Sequence, residues 1–455
     1  MFRFGRKGKP HAPWDRGWRS SDGFIIGTLS LAVFTDEMLF AFMVPLLPTI
    51  LEDRIGLDVS LTQRCTSVFL AEGALVTVLS SPIFGSIADT VRSKKVLLLV
   101  LLVLTFVSLV CLSLTTTLIW LYLGRFFQCI VSNGLWIVGM ATLAENVGAE
   151  HMGKITGLTS ALTAAGTIAG PVLAGLLFGI GGYWVAWAGA AAFLVVDTTM
   201  RLLMVEKGST AGLETSDEAE DDPLIAGSLS SDYRDQRQGL QGWYFYATLL
   251  RQPRFTTGLL IYYVFALLIA CFESTLAVHV RNVFDWGALP AGLLLASIQG
   301  PRILLAPSVG WLKDRIGSRV PTALGLFSLI PFLLPLGIPG DRRFPWINEE
   351  QGKIIYAFAM GMLGCLMCLL NGVGMMEAAE TIDDLSSSHP GIFGRLGGYS
   401  RAIAMTSMVW AAGLFTGPIL AGFLVERFGY FELQCFLAVA CFITGLLAFL
   451  FLARH

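Results

Sequence analysis

Twelve apolar runs, each near the ~20 residues that a helix needs to cross a hydrocarbon core of ~30 Å, leave this chain few folds to choose from. They lie at 24–50, 65–88, 95–114, 118–143, 155–180 and 183–204, and then at 256–280, 288–312, 320–339, 353–380, 396–424 and 430–452. The runs are continuously apolar rather than alternating. In lipid each must satisfy its own backbone hydrogen bonds, so helices are expected and a closed barrel is not. Only 14% of the residues are charged, whereas about a quarter is usual for a water-facing surface, so lipid must cover most of the chain. The first run is longer than a signal-peptide core and ends in acidic residues without a small-residue cleavage pattern, so it is read as retained.

The chain is also built twice. Ala169-Gly170-Pro171-Val172-Leu173-Ala174-Gly175 returns as Thr416-Gly417-Pro418-Ile419-Leu420-Ala421-Gly422, followed in each case by a Gly-Tyr pair, Gly182-Tyr183 and Gly429-Tyr430. Gly85-Ser86-Ile87-Ala88-Asp89 likewise returns as Gly310-Trp311-Leu312-Lys313-Asp314, where an apolar run gives way to a basic loop. Inverted or parallel repeats of this kind are how many carriers are made. The expected fold is an all-α membrane protein of 12 transmembrane helices in two pseudo-symmetric six-helix bundles. Its parts are a cytoplasmic tail (1–23), an N-terminal bundle (24–204), a cytoplasmic linker (205–255) and a C-terminal bundle (256–452).

Basic residues set the expected orientation. With the N-terminus cytoplasmic, 21 lysines and arginines fall on the inner side and 7 on the outer, so both termini are expected in the cytoplasm. The acidic stretch from Glu214 to Asp222 marks a flexible linker. Within it, Glu220-Asp221-Asp222-Pro223-Leu224-Ile225 reads either as a solvated acidic segment or as a dileucine sorting signal toward endosomal or vacuolar membranes; the plasma membrane is the other expected location. All eight cysteines lie in or at the ends of the runs, where a thiol behaves as a small apolar group, and no disulfide framework, metal site or cofactor is expected.

Gly85 and Asp89 share one face of a helix end, with Arg92 just beyond. Asp89 there can pair with a basic residue of the loop or accept hydrogen bonds from a nearby helix N-terminus. The second copy, Gly310-x-x-x-Asp314-Arg315-x-Gly317, is more complete. These residues resemble the signature loops of the major facilitator superfamily after helices 2 and 8, and the resemblance covers nearly the whole chain. In the first copy Thr90 and Arg92 stand where the family has Arg and Gly. Glu145 and Glu380, at the ends of helices 4 and 10, are similar to the acidic partners that members use in this gating relay; solvation at the interface is the other reading.

The helix 5 segment with Gly166, Gly170, Pro171 and Gly175, echoed by Gly417 and Pro418, resembles the motif that marks antiporters within the superfamily. Proline bends a helix and glycine at four-residue spacing leaves a smooth packing face. The segment is therefore read as a hinge and a seal against leak, or simply as tight packing.

Ionisable residues inside spans cost on the order of 3 kcal/mol each and point to function. Asp36 and Glu37 lie midway along helix 1, Glu273 lies in helix 7, Arg125 in helix 4 and Arg302 in helix 8. Desolvation favours the neutral form of a carboxyl, and an acid so placed can carry a proton. Asp36 and Glu273 lead as proton or cation binders, and Arg302 is read as the internal partner of Glu273 or as a contact for an anionic substrate. Asp197 and Arg201 read as a local interfacial pair. Asn133, Trp136, Gln299 and Asn371 are candidates to line the pocket or to bond neighbouring helices.

Arg125 is similar to the helix 4 arginine of proton-coupled members. Thr35-Asp36-Glu37-Met38 with Phe272-Glu273 looks like helices 1 and 7 of vesicular amine transporters and their fungal relatives, whose helix 2 lysine and helix 10 and 11 aspartates have no counterpart here. Taken together, the residues and the resemblance lead to the expectation of a monomeric, proton-coupled antiporter in the lipid bilayer that exports or sequesters a small organic molecule. A uniporter or proton symporter of a sugar-like or anionic metabolite and a non-transporting receptor or scaffold are the rivals. A membrane enzyme lacks a nucleophile or metal-ligand constellation, and nothing points to nucleic acid.

Overall fold

The computed structural model describes residues 22–452, other than 48, 92–93, 148–151, 204–242, 287, 342, 346–347, 390–391 and 394–397. The N-terminal tail, Arg92 and the dileucine-like segment lie outside the described residues, as does most of the linker.

Among the described residues there are helices and no strands. Helix 1 (Asp22–Phe42) is followed by a 3-10 turn at Val44–Leu46 and a π turn at Thr49–Arg54. Helices 2 (Val59–Thr90), 3 (Lys94–Ser113) and 4 (Leu118–Val147) come next. Helices 5 and 6 form one element, Met152–Leu203, divided where Gly181 and Gly182 leave helical geometry. A short linker helix, Trp243–Leu250, precedes helices 7 (Pro253–Phe284), 8 (Ala288–Ile316) and 9 (Arg319–Leu336). Helix 10 is in two pieces, Glu349–Met367 and Val373–Ser388, and helices 11 (Tyr399–Arg427) and 12 (Tyr430–Phe451) close the chain. Among the described residues the twelve expected helices are present, with helices 5 and 6 in one element and the linker helix as an addition.

Two of the breaks have physical causes in the sequence. The turn between helices 5 and 6 needs φ of 72° at Gly182, and its repeat before helix 12 needs φ of 120° at Gly429, a region that residues with a Cβ avoid. The Gly-Tyr pair seen twice in the sequence is thus a turn used twice. The expected unbroken run at 353–380 instead breaks at Gly372, φ 73°, and the buried Lys313 donates to the freed Asn371 carbonyl at 2.7 Å. A helix in lipid tolerates such a break only where a side chain satisfies the backbone again. Pro171 and Pro418, read as hinges, lie inside helices that continue through them.

Helix packing repeats with the sequence. Helix 5 packs on helix 1 and helix 11 on helix 7 within the two bundles, while helix 5 meets helix 8 and helix 2 meets helix 11 between them. Exchanging 1, 2 and 5 for 7, 8 and 11 maps this set onto itself, which is a pseudo-twofold relation. Glycines permit the close approaches. A Cβ on Gly170 would fall 2.5 Å from the Met38 carbonyl, one on Gly417 2.6 Å from the Ala270 Cβ, and one on Gly85 2.6 Å from the Ala404 Cβ.

Candidate functional site

The two bundles are latched together at the end that carries the repeated loops. Asp89 accepts from the backbone N–H groups of Ser400 and Arg401 at 3.1 and 3.2 Å and from the Arg401 side chain at 2.8 Å. Asp314 accepts from the backbone of Gly153 and Lys154 at 2.6 and 2.9 Å. Each aspartate thus caps the N-terminus of a helix in the opposite bundle, where the free N–H groups and the helix dipole favour an anion. Asp89 takes the helix-terminus contact and, with it, an ion pair to Arg401 of that same helix rather than to its own loop. Arg315 instead lies over the Trp311 ring at 4.1 Å, and Gly317 makes the loop turn at φ 81°.

Charge networks lie in both halves, and one of them reaches a latch residue. Lys94 bridges Glu145 and, at 3.0 Å, the Ser400 hydroxyl, which places Glu145 beside the Asp89 contact. In the other half Arg254 joins Glu377, Glu380 and Asp384, and Glu377, fully buried, also accepts from Ser318. The linker helix is tied in as well, because Arg401 lies 3.8 Å from the Phe245 ring. Glu377, Arg254, Arg401 and Phe245 were not anticipated. The sequence signal for Glu377 was present, an acid in the apolar stretch just ahead of Glu380, but it was read as part of a continuous span.

Toward the middle, Ser160 of helix 5 donates to Asn371 at 2.8 Å and accepts from Arg302 at 2.9 Å. Ser407 of helix 11 donates to Asn133 at 2.9 Å. Asn133 and Asn371 therefore join the bundles rather than line an open pocket, while Trp136 is half-buried against the apolar core. Arg302 also donates to Gln299 at 2.7 Å. The expected partner, Glu273, does not take its hydrogen bonds. Glu273 instead neighbours Gln299 and remains accessible, because neutral oxygens one turn away and across the interface lie closer to the guanidinium.

Asp36 and Glu37 part company. Asp36 turns into its own bundle, accepting from Ser132 at 2.6 Å and lining a small cavity with Asp197. Glu37 faces the other bundle, within charge range of Arg302 and beside Gly166. The central cluster is therefore Glu37, Glu273 and Arg302, with Gln299 and Ser160. Arg125, fully buried, donates to Gln128 at 2.8 Å and lies over the Phe40 and Phe69 rings at 4.0 and 4.7 Å. The Arg201–Asp197 pair forms at 3.4 Å, yet both residues are buried. It is an interior pair and not an interfacial one, since helix 6 turns this face onto helix 1.

Of the helix 5 glycine segment and its repeat, Gly166 and Gly170 seat helix 1 on helix 5, and Gly417 seats helix 7 on helix 11. Gly175 faces open space.

Residues 29–382 match the Major Facilitator Superfamily. An MFS-type transporter, ppzB, of Metarhizium rileyi is 26% identical across 97% of both chains. An uncharacterised MFS-type transporter of Schizosaccharomyces pombe is 26% identical over 94% of this chain and 96% of its own. Among solved structures, the human organic anion transporter MFSD10 superposes with a TM-score of 0.63 at 15% identity, covering 94% of this chain and 99% of that one.

Proposed function

The chain belongs to the major facilitator superfamily, and from that premise we propose that it is a proton-coupled antiporter exporting or sequestering a small organic molecule by alternating access. The observation that carries this reading is the central cluster, in which acids of the repeat-related helices 1 and 7, Glu37 and Glu273, flank Arg302 where the bundles meet. With the termini cytoplasmic, the latched end closes the cytoplasmic mouth and Glu273 is reached from the outside or a lumen. Substrate and protons compete there for the same carboxylates, so loading one releases the other. One pH unit supplies about 1.4 kcal/mol per proton, so two protons across one to two units concentrate a neutral solute roughly a hundredfold or more.

The test begins with thermal stabilisation of the purified protein by a panel of lipophilic amines, drugs and organic acids at two pH values. The stabilising compound then enters proteoliposomes that are acid inside. Its uptake alkalinises the lumen in the wild type, and Glu273→Gln and Glu37→Gln lose that proton movement. Undiminished gradient-driven uptake in both variants removes the assignment.

One observation favours a second reading. Arg302 gives its hydrogen bonds to neutral groups, Gln299 and Ser160, so with Glu37 and Glu273 protonated its charge can take an anionic substrate. Stabilisation by organic acids alone, lost in Arg302→Gln, selects that reading.

A further inference from the structure

Ser160 departs from the habit of its own helix. Thr159, Thr163 and Thr167 of helix 5 each turn the hydroxyl back onto the carbonyl four residues earlier, at 2.9 Å in all three cases, an ordinary way to satisfy a hydroxyl inside a span. The Ser160 hydroxyl instead points across the interface between the bundles. It donates to Asn371 Oδ1 at 2.8 Å and accepts from Arg302 Nε and Nη2 at 3.3 and 2.9 Å. The carbonyl four residues before it, that of Thr156, receives Asn371 Nδ2 at 3.3 Å and the Thr159 hydroxyl at 3.2 Å. A further donor must displace one of these, since a carbonyl offers two lone pairs.

Asn371 reaches helix 5 because helix 10 breaks there. Lys313 holds its backbone carbonyl, and the neighbouring Gly372 lies so close that a Cβ would fall 2.4 Å from the Thr156 Oγ1. Thr156, Ser160, Arg302 and Asn371 are all buried. Accepting from a guanidinium polarises the Ser160 O–H and strengthens its bond to Asn371. With Arg302 withdrawn, both that polarisation and the orientation it imposes are lost, and the acceptor within the helix competes for the hydroxyl.

We propose that Ser160 is a positioning residue that carries occupancy of the central cluster to the Asp314 latch. An anionic or carbonyl oxygen of a bound molecule draws Arg302 off Ser160; the hydroxyl turns to the Thr156 carbonyl and displaces Asn371 Nδ2. Asn371 then loses both side-chain bonds to helix 5, and hydrogen bonds alone change hands. This rests on the reading that substrate seats at the central cluster, and adds how loading loosens the closed mouth. Gly153, Thr156 and Ser160 are spaced three and four residues apart, so one face of helix 5 carries the latch, the Asn371 contact and the Arg302 contact. The bundles part by breaking that whole face, so fewer bonds on it make the latch open more readily.

Amide hydrogen exchange, resolved by residue on the full-length protein in nanodiscs, tests this. Asp314 holds the Gly153 and Lys154 N–H groups, which exchange when the latch opens. Arg302→Met is expected to raise their exchange about tenfold, on the scale of one to two net hydrogen bonds. In a Ser160→Ala background Arg302→Met adds no further rise, because the hydroxyl that displaces Asn371 is missing. An arginine that merely braces the interface raises exchange equally with and without the hydroxyl, and that result overturns the proposal, as does unchanged exchange in Arg302→Met. Should Arg302→Met fail to fold, Arg302→Gln, which keeps a shorter polar group, is read in the same two backgrounds with the same outcomes. Failure of the underlying reading looks different: exchange behaves as stated, but every stabilising compound of the panel acts equally on the wild type and on Arg302→Gln.

Discussion

Adjacent residues on a helix point about 100° apart, and Asp36 and Glu37 show the consequence. A sequence marks both as costly acids in one span; only packing shows that one enters its own bundle and the other faces Arg302. Glu377 makes the same point from the opposite side. It is fully buried and bonded to Arg254 and Ser318. Removing one partner of a buried pair costs about 3–5 kcal/mol, and here Arg254 keeps Glu380 and Asp384, so Glu377→Ala is expected to cost about 2 kcal/mol. Glu380→Ala, at a more exposed carboxylate, is expected to cost less. Thermal unfolding in detergent checks the order, and equal losses would show that burial does not rank these acids. The sequence exposed the charges that interrupt apolar runs, Asp36, Glu273 and Arg302 among them. Gln299 stood among the polar candidates of the spans, but the Ser160 oxygen that also takes an Arg302 hydrogen bond did not, because a serine in a span carries no comparable cost and so no comparable signal.

At the level of elements, the glycine motif of helix 5 separates into positions that differ. Gly170 lies against the helix 1 backbone, where a Cβ would sit 2.5 Å from the Met38 carbonyl and 2.9 Å from the Phe42 nitrogen. Gly175 has nothing within 4 Å. Overpacking a tight contact costs about 1–3 kcal/mol, so Gly170→Ala is expected to lower thermal stability by that order and to displace helix 1, whereas Gly175→Ala is expected to change stability by less than about 0.5 kcal/mol. Equal effects at the two positions would mean that the motif acts through its helix and not through contact with helix 1. Element existence was legible throughout, since each run of the required length became a helix. The broken middle of helix 10 was not. Its Asn371-Gly372 step sits in an apolar stretch, and what makes the break tolerable is Lys313, 58 residues earlier in the chain. The linker helix was missed because eight residues, Trp243–Leu250, are too few to register as a span.

For the molecule as a whole, the duplication fixes what must be broken for it to change state. Asp89 latches helix 2 to helix 11 and Asp314 latches helix 8 to helix 5, and the pseudo-twofold axis exchanges the two contacts. A hydrogen bond to a charged group contributes about 1.5–3 kcal/mol, and 1.4 kcal/mol is a factor of ten in a two-state ratio. Asp89→Asn and Asp314→Asn should therefore each shift the balance toward an open latched end by about tenfold. The two sites cap different helices in different bundles, so their effects are expected to add in free energy, giving roughly a hundredfold in the double variant. Spin labels at Ile87 and Ser387, exposed positions on opposite bundles near the latched end, report this in a background without the native cysteines. The wild type is expected to give a single short distance, each single variant a minor longer component, and the double variant a predominantly longer distance. A double variant that keeps the wild-type distribution would mean that the glycine contacts at Gly85, Gly153 and Gly157 hold the end closed without the aspartates, and that the two signature loops, for all their symmetry, do not govern which mouth is open.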